Sequence, residues 1–277
     1  MSADSIAPFG SHAPSLWVRT LLAASQNTVL GRGQARRLIS RMVRKAHPGP
    51  IDTYLWGKPV RVYVGSNNNE VKALLNPSSF NRAELETLRA HLPRSGGVFV
   101  DIGANVGMVT LAISAHMSSG TVVAIEPQPA MFKRLTFSLD QSSDEAIHHV
   151  LVSAAVGPEA GHAELAVPDQ PGMASFALPS ESDAGTVTVP VKPLSTILLD
   201  SGVTHIDALK IDVEGYEDQA LIPFFARADR SLWPRLIVME HCHSERWQRD
   251  VEAEILKLGY ETLSRDKQNV CLSKAPP

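Results

Sequence analysis

Residues 97–107 read G-V-F-V-D-I-G-A-N-V-G. Val98, Phe99, Val100 and Ile102 form a short run of β-branched and aromatic side chains, the pattern of a parallel strand covered on both faces. Asp101 ends the strand, and Gly103, Ala104, Asn105 and Gly107 turn the chain sharply. A helical pattern begins at once with Met108, Thr110, Leu111 and Ile113. Small residues let a ligand approach the backbone, and the first turn of the new helix offers unpaired N–H groups. The stretch predicts a nucleotide cradle at the carboxyl end of a strand.

Its details point away from a dinucleotide. The G-x-G-x-x-G fingerprint brings a pyrophosphate onto the helix N-terminus, whereas here Ala104 stands where the second close glycine would be. Asp101 would repel a pyrophosphate and suits a ligand bearing an ammonium or a sulfonium. A second acid, Glu126, closes the next strand in V-V-A-I-E-P, about twenty residues on, where a ribose diol is held in nucleotide-binding sheets. Together the two acids suggest S-adenosylmethionine rather than NAD.

Downstream, strand-like runs alternate with helical ones, the mark of a doubly wound α/β fold. Strands are expected at 98–102, 121–126, 148–153, 208–213 and 236–240. Helices are expected near 107–117, 129–140, 192–199, 217–226 and 245–258. Residues 261–264 and 269–273 read as a closing antiparallel hairpin. Between the third and fourth strands, 168–186 is a Pro-, Gly-, Ser- and Asp-rich insertion flanked by short strands at 162–167 and 186–191. Pro171 to Phe176 within it reads as a lid over a substrate.

The blocks D-I-G-A-N-V-G-M-V-T, A-I-E-P, A-A-V-G, A-L-K-I-D-V-E-G-Y-E and L-I-V-M-E-H occur in this order. The set resembles the FkbM family of S-adenosylmethionine-dependent methyltransferases, over roughly residues 97–245. The resemblance implies a Rossmann-like class I methyltransferase sheet, order 3-2-1-4-5-7-6, with the last strand pair antiparallel. It also implies O-methylation of a sugar or glycan hydroxyl, or alternatively of a polyketide or other small natural product. Asp101 is then expected near the methionine end and Glu126 on both ribose hydroxyls. Gly103, Asn105 and Gly107 form the loop, and Pro127 and Gln128 flank the adenine. Ser153 is a weaker adenine candidate, since no acid stands at that point.

The cofactor of such an enzyme supplies the electrophile, so the protein must hold an oxygen nucleophile in line and help remove its proton. K-I-D-V-E-G puts Asp212 at the tip of the fourth strand with Glu214 beyond it; E-H-C-H puts Glu240 and His241 at the tip of the fifth. Asp212 is expected to orient the substrate hydroxyl, and His241, with a pKa near neutrality, is a candidate base. Asp212, Glu240 and His241, with Glu214 nearby, read alternatively as an oxygen-rich magnesium site, which spacing alone does not establish. Lys210, inside an otherwise apolar strand, reads as an ion-pair partner for these acids.

The chain has 277 residues, 44% of them hydrophobic, and a net charge of −3. These values fit one core domain of about 200 residues plus an extension and give no general argument for nucleic acid. Two cysteines, Cys242 and Cys271, make neither a metal knuckle nor a disulfide framework, so a reducing cytoplasm is the expectation. The chain divides into a disordered tail at 1–14, an N-terminal extension at 15–95 and the methyltransferase domain at 96–277. In the extension, helices are expected at 16–24 and 34–45, a hairpin at 51–64 turning at 57–59, a short strand at 70–75 and a helix at 80–91. The second helix carries Arg36, Arg37, Arg41, Arg44 and Lys45. It reads as a solvated face or as a contact for an anionic membrane or an acidic partner. A binding module that holds the cofactor without turnover is the reading from another class.

Overall fold

A computed structural model of the chain describes residues 7–65, 68–142, 145–167 and 185–274. Its centre is a sheet whose strands, in spatial order, are β5 (Ile147–Val152), β4 (Gly120–Ile125), β3 (Gly97–Ile102), β9 (Ala208–Ile211), β10 (Leu236–Glu240), β12 (Asn269–Lys274) and β11 (Tyr260–Arg265). Numbered by chain order within this sheet, that is 3-2-1-4-5-7-6. β5, β4, β3, β9 and β10 are parallel neighbours; β12 runs antiparallel to both β10 and β11.

Successive residues of these strands point to opposite faces. Phe99, Val122, Ala124, Ala208 and Val238 join the apolar cluster under α4 (Arg82–His91), α5 (Met108–Ser114) and α6 (Pro129–Asp140). Val98, Val100, Ile102, Leu209, Ile211, Ile237 and Met239 join the cluster under α7 (Leu194–Asp200), α8 (Glu217–Arg227) and α9 (Val251–Lys257). Every residue of β3 is buried, as a central strand with helices on both sides requires. Asp101 follows the parity of Phe99, and Lys210 that of Ala208, so both polar side chains point into the α4/α5 layer.

The extension packs on that same layer. α1 (Leu16–Ser25) and α2 (Gly33–Ala46) insert Val18, Leu22, Ile39 and Val43 into its core. β1 (Ile51–Leu55) and β2 (Lys58–Val62) form a hairpin that turns at Trp56-Gly57, both left-handed at φ 51° and 78°. The turn therefore falls one position before the expected 57–59, and Lys58 and Pro59 already belong to β2. Residues 70–75 are not a strand: α3 (Asn68–Leu75) is a helix that buries Glu70, Ala73 and Leu74 on one face. Of the tail expected to be disordered, 1–6 lies outside the described residues. Residues 7–14 are tied down: Gly10 and His12 N–H groups donate to Asp52 Oδ2 at 2.7 and 3.1 Å, and Arg61 donates to the Ala7 and Pro8 carbonyls.

A second, small sheet, β6 (Ala155–Val156), β8 (Gly185–Lys192) and β7 (Gly161–Val167), has its own core of Ala155, Leu165 and Val189. The lid expected at 171–176 lies outside the described residues.

Candidate active site

The loop after β3 is shaped by close approach. Gly103 has φ +78°, and a Cβ there would run into the carbonyl oxygen of Asp212. The Gly103 and Ala104 N–H groups both donate to the Ile125 carbonyl, at 2.9 and 3.0 Å, binding the turn to the end of β4. Asn105 is left-handed at φ 54°, and Gly107, at φ +83°, packs its bare Cα against Leu135. Glu126 then clamps the loop: its Oε2 accepts from Asn105 N–H at 2.8 Å and its Oε1 from Gln128 N–H at 2.8 Å. Each oxygen keeps a second lone pair for a ligand hydroxyl. Burial pushes the Glu126 carboxyl up to about 7, against those two backbone donors.

A pocket opens over this loop. It is lined by Asp101, Gly103 to Val106, Glu126, Pro127 and Gln128, and on its far side by Lys210, Asp212, Val213 and Glu214. Gln128 is 2% exposed, and its side-chain Nε2 has no partner among the described residues. Asn69, Phe80 and Asn81 of the extension and Leu165 of the small sheet close the remaining wall. Ser153 is exposed and does not line the pocket, so the structure does not bring it to the others.

Beneath the pocket lies a network centred on Lys210. Asp101 is fully buried; its Oδ2 accepts from Thr110 Oγ1 at 2.6 Å, and its Oδ1 lies 3.7 Å from Lys210 Nζ with no closer partner among the described residues. Lys210 also donates to Asp212 Oδ2 at 3.4 Å. Burial alone would push the Lys210 ammonium down, but Asp212, Asp101, Glu84 and Glu240 together hold it well above its ordinary value. Asp101 is raised by burial, with Lys210 and Thr110 opposing. Glu84, on α4, is pushed up to about 7 by burial despite the nearby Lys210. Its Oε2 accepts from Asn81 Nδ2 at 2.9 Å, and its Oε1 is buried without a partner among the described residues. Glu84 was not singled out by sequence; its spacing on an amphipathic helix gave no signal beyond a buried acid.

Glu240 has its Oε2 buried, and burial followed by the charge of Asp212 raises its carboxyl well above the ordinary range. Asp212, Glu214 and Glu240 can each offer a carboxylate oxygen within 4.8 Å of the others. His241 is not among them. It follows Glu240 directly, and its ring nitrogen Nε2 lies 3.0 Å from the Asp266 carbonyl, toward the β11–β12 turn and a separate surface depression. This corrects the expectation for His241 as base or metal ligand: consecutive residues at a strand end face opposite ways. The imidazole that does reach the acids is His243, whose Nε2 lies 3.0 Å from Glu214 Oε2.

The segment carrying Asp212 and Glu214 is held by two residues that the sequence reading missed. Glu217 Oε1 accepts from Val213 and Gly215 N–H groups at 3.1 and 3.3 Å, and its Oε2 accepts from Trp247 Nε1 at 2.7 Å. Glu214 is thereby kept left-handed at φ 54°. A non-glycine residue in that conformation persists only where its surroundings fix it.

A seven-stranded sheet of this topology, with a small-residue loop at the carboxyl end of its first strand and an acid at the end of its second, defines a Rossmann-like class I methyltransferase. The chain belongs to the FkbM methyltransferase domain family, which it matches over residues 101–262, more than half its length. Among curated proteins it is similar to the methyltransferase sdnD of Sordaria araneosa, 26% identical over 211 residues that span 64% of this chain and 78% of that protein. Among solved structures it is similar to an FkbM methyltransferase from Methylobacillus flagellatus, with a TM-score of 0.42 and 18% identity over 75% of this chain; the chain spans only 55% of that protein. It is also similar to TYW2 of M. jannaschii in complex with AdoMet, with a TM-score of 0.40 and 10% identity over 82% of this chain and 87% of that one.

Methyltransferases of this fold imply S-adenosylmethionine, and the residues present fit it. The loop is bare where a nucleoside must approach, Glu126 keeps acceptor capacity on both oxygens, and Gln128 has a buried amide without a partner. Among the described residues no helix is long and apolar enough to cross a membrane.

Proposed function

We propose that this methyltransferase uses S-adenosylmethionine and methylates a hydroxyl oxygen of a sugar or glycan. Glu126 would hold the ribose diol, Gly103, Asn105 and Gly107 the nucleoside, and Pro127 with Gln128 the base. When bound, the cofactor supplies an electrophilic methyl group. Asp101 lines the pocket but already faces Lys210, so its part is shared between the ligand's cationic end and that lysine.

The observation that supports a polyhydroxyl acceptor best is the polar lining of the pocket beside the loop. Asp212 and Glu214 line it with carboxylates, groups that suit neighbouring hydroxyls better than an apolar ring. Asp212, which lines the pocket with its side chain 36% exposed, would take the proton of the reacting hydroxyl. Burial and then the charge of Asp212 raise the Glu240 carboxyl beside it, and Lys210 donates to the Asp212 carboxylate from below.

The test is methyl transfer to a panel of nucleotide sugars and oligosaccharides by Asp212→Asn and His241→Ala. Asp212→Asn is expected to lower kcat by about 10²- to 10⁴-fold, the range of a lost general base, while His241→Ala stays near wild type. Equal activity of Asp212→Asn and wild type contradicts the role of Asp212. Methylation confined to apolar small-molecule hydroxyls moves the reading to natural products. Cofactor binding without transfer to any acceptor moves it to a binding module.

A further inference from the structure

The charge of this chain is unevenly distributed. Residues 5–51 hold seven of the 26 Lys and Arg and none of the 29 Asp and Glu, leaving 19 cations among 29 acids elsewhere. Five of the seven, Arg36, Arg37, Arg41, Arg44 and Lys45, lie on α2. Among the described residues none of these five has a carboxylate within ion-pair distance, although the chain as a whole is acidic.

The same helical pair exposes large apolar side chains. α2 turns Ile39 and Val43 into the core, while Leu38 and Met42, one turn apart, stay 59% and 37% exposed beside Arg41 and Lys45. Trp17 and Leu16 open α1 at 56% and 79% exposed, and Val29 and Leu30 stand exposed in the turn between the helices. Scattered apolar residues on a surface need no explanation, but six on one helix pair, interleaved with unpaired cations, do.

We propose that α1, α2 and their connecting turn form a docking face for an anionic lipid bilayer. Phosphate headgroups neutralise the arginines, the apolar side chains enter the boundary between headgroups and acyl chains, and Trp17 sits at the depth that indole favours. A nucleic acid would use the cations but leave the apolar residues in water. A second copy meeting face to face would oppose two sets of like charges. Arg44 lies over Gly65.

The full-length protein should sediment with vesicles of phosphatidylcholine mixed with phosphatidylglycerol, and not with vesicles of phosphatidylcholine alone. At about five-fold in partitioning per cation, the triple variant Arg37→Gln, Arg41→Gln, Lys45→Gln should bind about a hundred-fold more weakly. Trp17→Ser with Leu38→Ser should also weaken binding, and both variants should keep wild-type circular dichroism. Absence of the wild-type protein from the mixed-vesicle pellet overturns the proposal. So does undiminished binding by the Trp17/Leu38 variant, which would mark a surface for soluble polyanions or an acidic protein.

Discussion

Asp101 and Lys210 are register partners on adjacent parallel strands, so their side chains emerge side by side into the same helical layer. One ammonium faces Asp101, Asp212, Glu84 and Glu240, and burial raises the carboxyls of Asp101, Glu84 and Glu240. For Glu84 the consequence for stability can be signed. Its carboxyl rises from 4.5 to about 7 on folding, so between those values the folded state binds the proton more tightly. Stability therefore falls as pH climbs through that window, by about 3 kcal/mol once the group must ionise in both states. Glu84→Gln removes the penalty and can still accept from Asn81. Urea unfolding at pH 5 and pH 8 should show variant and wild type nearly equal at pH 5 and the variant more stable at pH 8. Greater wild-type stability at pH 8 would refute the buried-acid account. Gly103 offers a second test. Gly103→Ala meets both a left-handed φ and the Asp212 carbonyl, whereas Gly202→Ala meets only a left-handed φ with open space around it. Left-handed geometry alone costs roughly 1–2 kcal/mol. Thermal unfolding should thus show Gly103→Ala losing clearly more stability than Gly202→Ala; equal losses would deny the close approach of the two loops.

At the scale of elements, the sheet was readable because each core strand is a short apolar run ending in a polar tip, and two-residue alternation assigns each tip to a face. The same rule, applied to Glu240 and His241, separates them. α3 was misread because E-V-K-A-L-L is too short to distinguish a period of two from one of 3.6. Its Glu70 settles the matter in three dimensions, accepting from Tyr63 N–H at 3.0 Å and pairing with Arg134 at 3.2 Å. The cofactor loop was legible because glycines, Asn105 and Glu126 lie within 30 residues of one another. The bracing of Asp212 was not, since Glu217 meets Trp247 across 30 residues and nothing local announces the contact. Nor was Glu84, whose charged neighbour Lys210 lies on a strand far along the chain.

Over the whole molecule, the extension is more than a cap. Its α3 supplies Asn69 to the pocket, the segment before α4 supplies Phe80 and Asn81, and α4 adds Glu84 to the network beneath it. Its α1 and α2 carry six cations and no acid, while Asp101, Glu126, Asp212, Glu214 and Glu240 gather at the carboxyl edge of the sheet. One measurement tests the central claim, that the loop after β3 and the acid after β4 hold the nucleoside. Calorimetric titration with S-adenosylmethionine should show one site per chain in the wild type. In Glu126→Ala, which removes both ribose acceptors and the clamp on Asn105, affinity should fall by at least about a hundred-fold, the cost of two lost charge-assisted hydrogen bonds. No binding to the wild type, or equal binding to both, would contradict the account.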